Sequence, residues 1–283
     1  MVDIGSEWIY ADTLARGGLL YRDVVYWFGP FTPYFEAGFF RLFDSSFQTL
    51  VLAGVVGSLA AFAALLTALR RGTDRRSALL WAAIAVPALI FMPYSGGSIL
   101  GMGHRMWHAA TFSLLAGGVV SRRDFARRPA LAALAGALCA LSGLCRTEWG
   151  LATLGACVLG VILRRPRAGH AWKSASILGG VAVLSWVAVV GLFVISAGPE
   201  SVLKDGQLLL AALPPETRRF LWKFSGISQP GRGIATLVYS VALWIGVLLL
   251  LPLAASSPPD PARRRKRLLL LAACAGTLLL SWL

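Results

Sequence analysis

Long blocks of apolar residues dominate this chain and restrict what it can fold into. A helix of about 17–25 apolar residues matches the hydrocarbon thickness of a bilayer. Eight blocks reach or approach that length, at residues 47–69, 77–93, 106–120, 129–145, 149–164, 174–197, 233–255 and 268–283. The sequence therefore predicts an all-α integral membrane protein with about eight transmembrane helices.

The charged residues support this interpretation. They make up 14% of the chain, against about 25% in a typical soluble domain. Of the 27 Lys and Arg residues, 17 lie in four short connectors after alternate spans, at 70–76, 122–128, 164–173 and 263–267. That side carries the whole net charge of +14, a distribution that argues against a nucleic-acid partner. The positive-inside rule places these connectors in the cytoplasm, so we expect a multi-pass protein of the cytoplasmic (inner) membrane.

Residues 1–45 differ from residues 46–283, which hold the predicted spans. Ile4, Trp8, Ala11 and Leu14/Ala15 recur at helical spacing, which predicts an amphipathic helix on the membrane surface that ends at Gly17-Gly18. After a turn at Gly29-Pro30, an aromatic-rich segment over 31–43 predicts a second surface helix. The charge pattern places this loop outside the cytoplasm.

No apolar span or signal peptide precedes that loop in the sequence, and the last apolar block stops at Leu283. We therefore expect the sequence to be part of a longer protein, with a first span upstream and further chain beyond its last residue.

Cysteine and histidine patterns give little sign of a metal centre. The cysteines Cys139, Cys145, Cys157 and Cys274 lie in or at the ends of apolar spans without a CxxC spacing, which favours small core residues. His104 and His108 are spaced to share a metal ion on a helix, but no third ligand lies nearby. We therefore interpret both as polar residues at a helix end.

The first loop carries a motif. It reads Asp3-Ile-Gly5, Ala11, Gly17, Tyr21-Arg22-Asp23, Gly29-Pro30, Tyr34 and Leu42-Phe43. This pattern resembles the first extracytoplasmic loop of the GT-C glycosyltransferases, notably the Rgt-like lipopolysaccharide transferases, the protein mannosyltransferases and the aminoarabinose transferase. It departs from them at Leu20, where Pro is usual, and at Asp44, where many members have Gly. A second resemblance is the turn Arg146-Thr147-Glu148-Trp149-Gly150, which is similar to a turn of the same group. The group has Lys where this chain has Arg146. The close match covers about 45 residues.

The resemblance implies a transferase that takes a sugar from a polyprenyl phosphate and passes it to a glycan, lipid or protein acceptor in the membrane. Asp3 aligns with the acidic residue of the family and would be the general base. It could instead cap the first helix. Glu7 could support the site, although we expect it to point to water, and Asp23 is expected to order its turn rather than react.

The departing polyprenyl phosphate needs cationic partners, and Arg side chains match phosphate oxygens well. Arg146 beside Glu148 is the preferred candidate, because charges in a tight turn between spans are costly without a use. A plain ion pair remains the alternative. The further candidates for lipid-phosphate or substrate binding are Arg105, Arg218, Arg219, Tyr21 and Arg22. No cofactor is assigned with certainty, and participation of a divalent metal stays open.

Two other classes of function remain. A transporter or flippase for a lipid-linked sugar needs polar groups near the bilayer midplane, and the predicted spans carry no central charge. An inactive membrane scaffold would leave the acids of the aromatic loop unexplained.

Overall fold

A computed structural model describes residues 2–72, 104–122, 124–163, 168–202 and 215–216. The chain forms two compact units, Met1–Ala212 and Leu213–Leu283. Only Pro215 and Glu216 of the second unit are described. The predicted spans 77–93, 233–255 and 268–283 therefore lie outside the described residues.

The elements of the described ranges are helices. They are α1 (Val2–Ala15), α2 (Phe31–Leu42), α3 (Phe47–Gly72), α4 (His104–Val120), α5 (Pro129–Cys145), α6 (Thr147–Leu163), α7 (Ala168–Ala197) and the short α8 (Pro199–Val202), with a 3₁₀ turn at Phe125–Arg127. The prediction of an all-α fold is confirmed for these parts of the chain. Five of the predicted spans coincide with α3 to α7, and the two predicted loop helices coincide with α1 and α2.

Two of these helices are long and apolar enough to cross a membrane, at Phe47–Ala68 in α3 and Ala171–Ala197 in α7. Pro129–Cys145 and Thr147–Ile162 are apolar but shorter. Large apolar side chains of α7 are exposed on the protein surface, with Leu184 70% and Ile195 83% exposed. Exposed apolar surface of this kind suits contact with lipid chains.

Small residues bring the central helices close together. Helix α5 packs against α4, α6 and α7, and α3 packs against α4. A Cβ on Gly136 of α5 would collide with the Leu178 carbonyl of α7, and one on Gly150 of α6 would collide with the backbone of Gly143. Close contact between backbones at small residues is typical of helix pairs in membranes.

Helices α1 and α2 pack on each other and on the start of α3. Ala11 and Leu14 of α1 are fully buried, and Ala11 clusters with Phe40 and Leu50. These two positions of the face that we expected to lie on a membrane therefore pack against protein. Arg41 of α2 donates hydrogen bonds to the carbonyls of Leu14 (2.8 Å) and Ala15 (3.1 Å), the last residues of α1. Gly17 follows with φ of 93°, a C-terminal conformation that suits glycine, so the predicted helix end is confirmed.

The α1–α2 layer covers one end of the helix bundle. Contacts to it come from the first half of α4, from the α5–α6 connector and from the last turns of α7, through His108, Arg146 and Phe193. The opposite end holds the α4–α5 connector, where Phe125 packs with Val120 of α4 and the first residues of α7. That connector carries Arg122, Arg127 and Arg128.

Candidate functional site

The candidate site begins in the turn after α1. Tyr21 has a left-handed backbone with φ of 67°, which is uncommon for a residue other than glycine. Its amide donates to the Val24 carbonyl (3.1 Å), and the Asp23 carboxylate accepts the Leu19 amide at 2.7 Å. Arg22 is exposed and forms an ion pair with Asp23 at 2.9 Å. Asp23 and Arg22 thus hold the turn together.

The strained turn fixes the position of Phe28. The buried Tyr21 hydroxyl donates a 2.7 Å hydrogen bond to the Phe28 carbonyl. On the other side, the Gly29 amide donates to the Cys145 carbonyl at the end of α5 (3.3 Å). A Cβ on Gly29 would collide with the Leu144 backbone, so this approach requires glycine. The glycine of the Gly29-Pro30 motif therefore seats the loop against α5.

Two arginines contact the ring of Phe28. The guanidinium carbon of Arg105, at the start of α4, lies 3.9 Å from the ring centroid. That of Arg146, the single residue between α5 and α6, lies 5.2 Å from the same centroid. Both distances fall within the usual cation–π range of about 6 Å. Each arginine side chain is 23% exposed, so both are accessible from outside the protein.

Each of these arginines faces a different carboxylate. The Arg146 Nε donates to Oε1 of Glu148 at 2.6 Å, but the Glu148 side chain is 57% exposed. The Arg105 Nη1 lies 3.6 Å from Oε1 of Glu7, a looser ion pair than a charge-assisted hydrogen bond of about 2.7–2.9 Å. The Glu7 side chain is only 6% exposed. Our expectation that Glu7 points to water is wrong, because its side chain is buried beside Arg105 of α4.

The sequence reasoning missed Tyr26 and Glu36, which lie beside this ion pair. Both are buried, and the charges of Arg105, Glu7 and Glu36 all act on the Tyr26 hydroxyl. Burial raises the pKa of Tyr26 strongly, and the nearby Arg105 opposes that shift. Tyr26 therefore stays a neutral hydroxyl at physiological pH. The sequence does contain a sign that Glu36 is unusual, because it is the only acidic residue in the aromatic helix α2.

His108 belongs to the packing of this layer. Its Nδ1 lies 3.1 Å from the Thr32 hydroxyl, and its ring contacts Phe31 and Phe35. The side chain of its proposed companion, His104, lies outside what the structure describes. Within the described ranges, no group of three or more His, Cys, Asp or Glu side chains could hold a metal ion. Cys139, Cys145 and Cys157 are buried free thiols, and Cys274 falls outside the described residues.

Three of the candidate residues cannot be placed in this arrangement. Arg218 and Arg219 lie outside the described residues, and so does the side chain of Asp3. The backbone of Asp3 is described, and it forms part of the first turn of α1, four positions before Glu7. The structure thus brings Arg105 and Arg146 together on the Phe28 ring, and it places Tyr21 in contact with Phe28.

This arrangement is suited to binding an anion. Two guanidinium groups share one aromatic ring, remain partly exposed, and can donate further hydrogen bonds in the planar geometry that phosphate oxygens accept. Comparison with protein-family models, curated proteins and solved structures finds no match to this chain. The residues around Phe28 and the motif of the first loop are therefore the grounds on which a function can be assigned.

Proposed function

We propose that this protein is a GT-C-type glycosyltransferase that moves a sugar from a polyprenyl-phosphate donor to a glycan, lipid or protein acceptor. The observation that carries the proposal is the pair of partly exposed arginines, Arg105 and Arg146, on the Phe28 ring. Both were candidates for the lipid phosphate on sequence grounds. Their meeting beside the loop that bears the motif supports a phosphate site at that place.

The proposal includes an eight-span topology with the site on the extracytoplasmic face. In the described part of the chain, Arg122, Arg127 and Arg128 lie at the end of the bundle opposite the α1–α2 layer. This α4–α5 connector is basic, and the first loop with α1 and α2 lies at the other end of the bundle. Such an arrangement agrees with the alternation of charge between successive connectors. Under the positive-inside rule, the arginine pair then faces the periplasm or the exterior.

The proposed reaction is a substitution at the anomeric carbon of the donor sugar. The acceptor hydroxyl forms a new bond to that carbon while the bond from the carbon to the phosphate oxygen breaks. The polyprenyl phosphate leaves with the electron pair, and the proton of the hydroxyl passes to a carboxylate. Positive groups that hold the phosphate stabilise the charge that grows on its oxygen. Arg146 and Arg105 have this role in the proposal.

Asp3 is the proposed general base. It occupies the position of the family's acidic residue, and its backbone lies one helical turn before Glu7, whose side chain approaches Arg105. Residues four apart share a face of a helix. In the proposal, Asp3 acts near this end of α1, where a lipid phosphate and a polar acceptor can meet.

The test supplies membranes containing the protein with a labelled polyprenyl-phosphate sugar and follows release of the lipid phosphate. Asp3→Asn keeps the shape and removes the basicity, so it should lower turnover by about 10²-fold or more with donor binding nearly unchanged. Arg146→Ala should weaken donor binding too, because the phosphate charge exists before the reaction. Arg16→Ala, on an arginine that is 74% exposed, is the matched control.

Wild-type membranes that release no lipid phosphate would contradict the transferase. Transport of the intact donor without release would indicate the flippase instead. If Asp3→Asn retains full turnover, the assignment of the base fails even though the transferase stands.

A further inference from the structure

The ring of Phe28 is the element on which the two arginines converge. Like charges repel each other, and two guanidinium groups in one part-buried site need compensation. The π face of an aromatic ring carries negative potential, and it attracts a cation without neutralising it. A carboxylate would also attract the arginines, but it would occupy the hydrogen-bond donors that an anion needs. Phe28 attracts both cations without occupying any of their hydrogen-bond donors.

The structure holds Phe28 through its backbone as well as through its ring. The Tyr21 hydroxyl holds the Phe28 carbonyl at 2.7 Å, and the next residue is pinned to α5 by the bond from the Gly29 amide to the Cys145 carbonyl. The edge of Tyr26 also packs on the ring, with centroids 5.8 Å apart. These three contacts fix Phe28, and its ring can therefore define the positions of the two flexible arginine side chains.

We infer that Phe28 is a positioning residue for anion binding, which sets the spacing of Arg105 and Arg146 so that both can contact one phosphate group. This inference rests on the proposed function for the identity of the phosphate, a polyprenyl phosphate. Tyr21 acts one step further away, by holding the backbone of Phe28. The left-handed conformation of Tyr21 is the local strain that brings its hydroxyl to that carbonyl.

The charges of the described site favour a single phosphate group. Arg105 and Arg146 face Glu7 and Glu148, so these four groups together carry no net charge when all are ionised. A phosphodiester brings one negative charge, which can displace the exposed Glu148 from Arg146. A diphosphate brings at least two, and it would have to displace the buried Glu7 as well. A sugar linked through one phosphate is therefore the preferred donor class.

The test measures binding of a polyprenyl phosphate to the purified full chain in lipid nanodiscs, separately from sugar transfer. Phe28→Leu keeps an apolar side chain and removes the π face, so binding should weaken by about 10-fold, or about 1.4 kcal/mol. Phenylalanines of increasing fluorination at position 28 keep the ring and weaken its negative face, and affinity should fall in step with fluorination. Phe43→Leu, on a ring that is 63% exposed and outside this cluster, should change nothing.

The kinetic signature separates positioning from general damage to the fold. In the transfer assay the loss at Phe28 should appear mainly in the KM for the donor, with kcat changed by less than about threefold. Tyr21→Phe should reproduce part of the effect. A polyprenyl diphosphate of equal chain length should bind less tightly than the monophosphate to the wild-type protein.

Affinity that is unchanged across the fluorinated series, in a protein that binds polyprenyl phosphate, would overturn the role of Phe28. Tighter binding of the diphosphate would overturn the preference for one phosphate. If the wild-type protein binds no polyprenyl phosphate at all, the proposed function itself fails, and the two failures are thereby distinguished.

Discussion

Arg105 and Glu7 form an ion pair across 3.6 Å that joins helix α1 to the start of α4. The Glu7 side chain is 6% exposed and that of Arg105 is 23% exposed, so this charged contact of the α1–α2 layer is part-buried. A part-buried charge that loses its partner is costly, whereas a pair at the surface contributes little. The pair should therefore matter for stability as well as for the anion site.

Glu7→Gln should lower the free energy of unfolding by about 1–3 kcal/mol, because it leaves Arg105 without its carboxylate in a part-buried place. Glu148→Gln is the matched control. Its carboxylate is 57% exposed and pairs with the other arginine, so the loss should stay below about 1 kcal/mol. Unfolding of both variants is measured in the same detergent. Equal losses would show that burial of the Glu7 pair has no energetic consequence.

Gly29→Ala should destabilise the protein by about 1–3 kcal/mol or prevent the loop from seating, because the added Cβ would collide with the Leu144 backbone. Gly38→Ala provides the contrast within helix α2. Nothing lies within 4 Å of a Cβ there, so alanine should be neutral or stabilise by up to about 1 kcal/mol. The midpoints of thermal unfolding of the two variants, compared with the wild type, measure these changes in stability. A Gly29→Ala protein as stable as the wild type would refute the close contact.

The stability of the α1–α2 layer should depend on acid through Asp12. The hydrogen bond from the Ser45 hydroxyl, at 2.5 Å, and the nearby Arg16 hold the pKa of Asp12 below its ordinary value of 3.8. A depressed pKa in the folded state stabilises the protein above the ordinary pKa, and this contribution is lost as the pH falls through the folded value.

The thermal midpoint of the wild type should therefore exceed that of Asp12→Asn at about pH 6, and the gap should narrow as the pH falls below about 4. Ser45→Ala removes the hydrogen bond that lowers the pKa of Asp12 most. In a Ser45→Ala background, Asp12→Asn should therefore change the thermal midpoint less. A gap between wild type and Asp12→Asn that stays constant over this range would count against the assigned hydrogen bond.

The orientation in the membrane can be tested with single cysteines. Cysteine introduced at Arg75 or Arg265 should be shielded from an impermeant thiol reagent in intact cells, while cysteine at Ser201 should react. The unmodified protein is the control, since its Cys139, Cys145 and Cys157 are buried. The reverse labelling pattern would invert the topology and move the arginine pair to the cytoplasmic side.

The helices were predictable because hydrophobic blocks and helical spacing are local signals. The blocks at 129–145 and 149–164 match α5 and α6 within about two residues, and the glycine after α1 lies where the helix stops. The remaining three predicted spans lie outside the described residues and stay predictions.

The site was only partly predictable because it depends on contacts between distant segments. Arg105 and Arg146 were recognised from their places in outside connectors, but nothing local indicates that they share the Phe28 ring. Glu7 was assigned to water because the apolar spacing of α1 does not show that its polar side is also buried. Glu36 was overlooked among aromatic neighbours for the same reason.

The contact between Thr32 and His108 has a consequence for how the protein is made. The two residues are 76 positions apart in the chain, so a ribosome that adds about 5–20 residues per second needs roughly 4–15 s to supply the second after the first. During that interval the aromatic helix α2 has no partner from α4 or α5. Slower synthesis lengthens that interval, so it should favour aggregation of the nascent chain through the aromatic rings of α2.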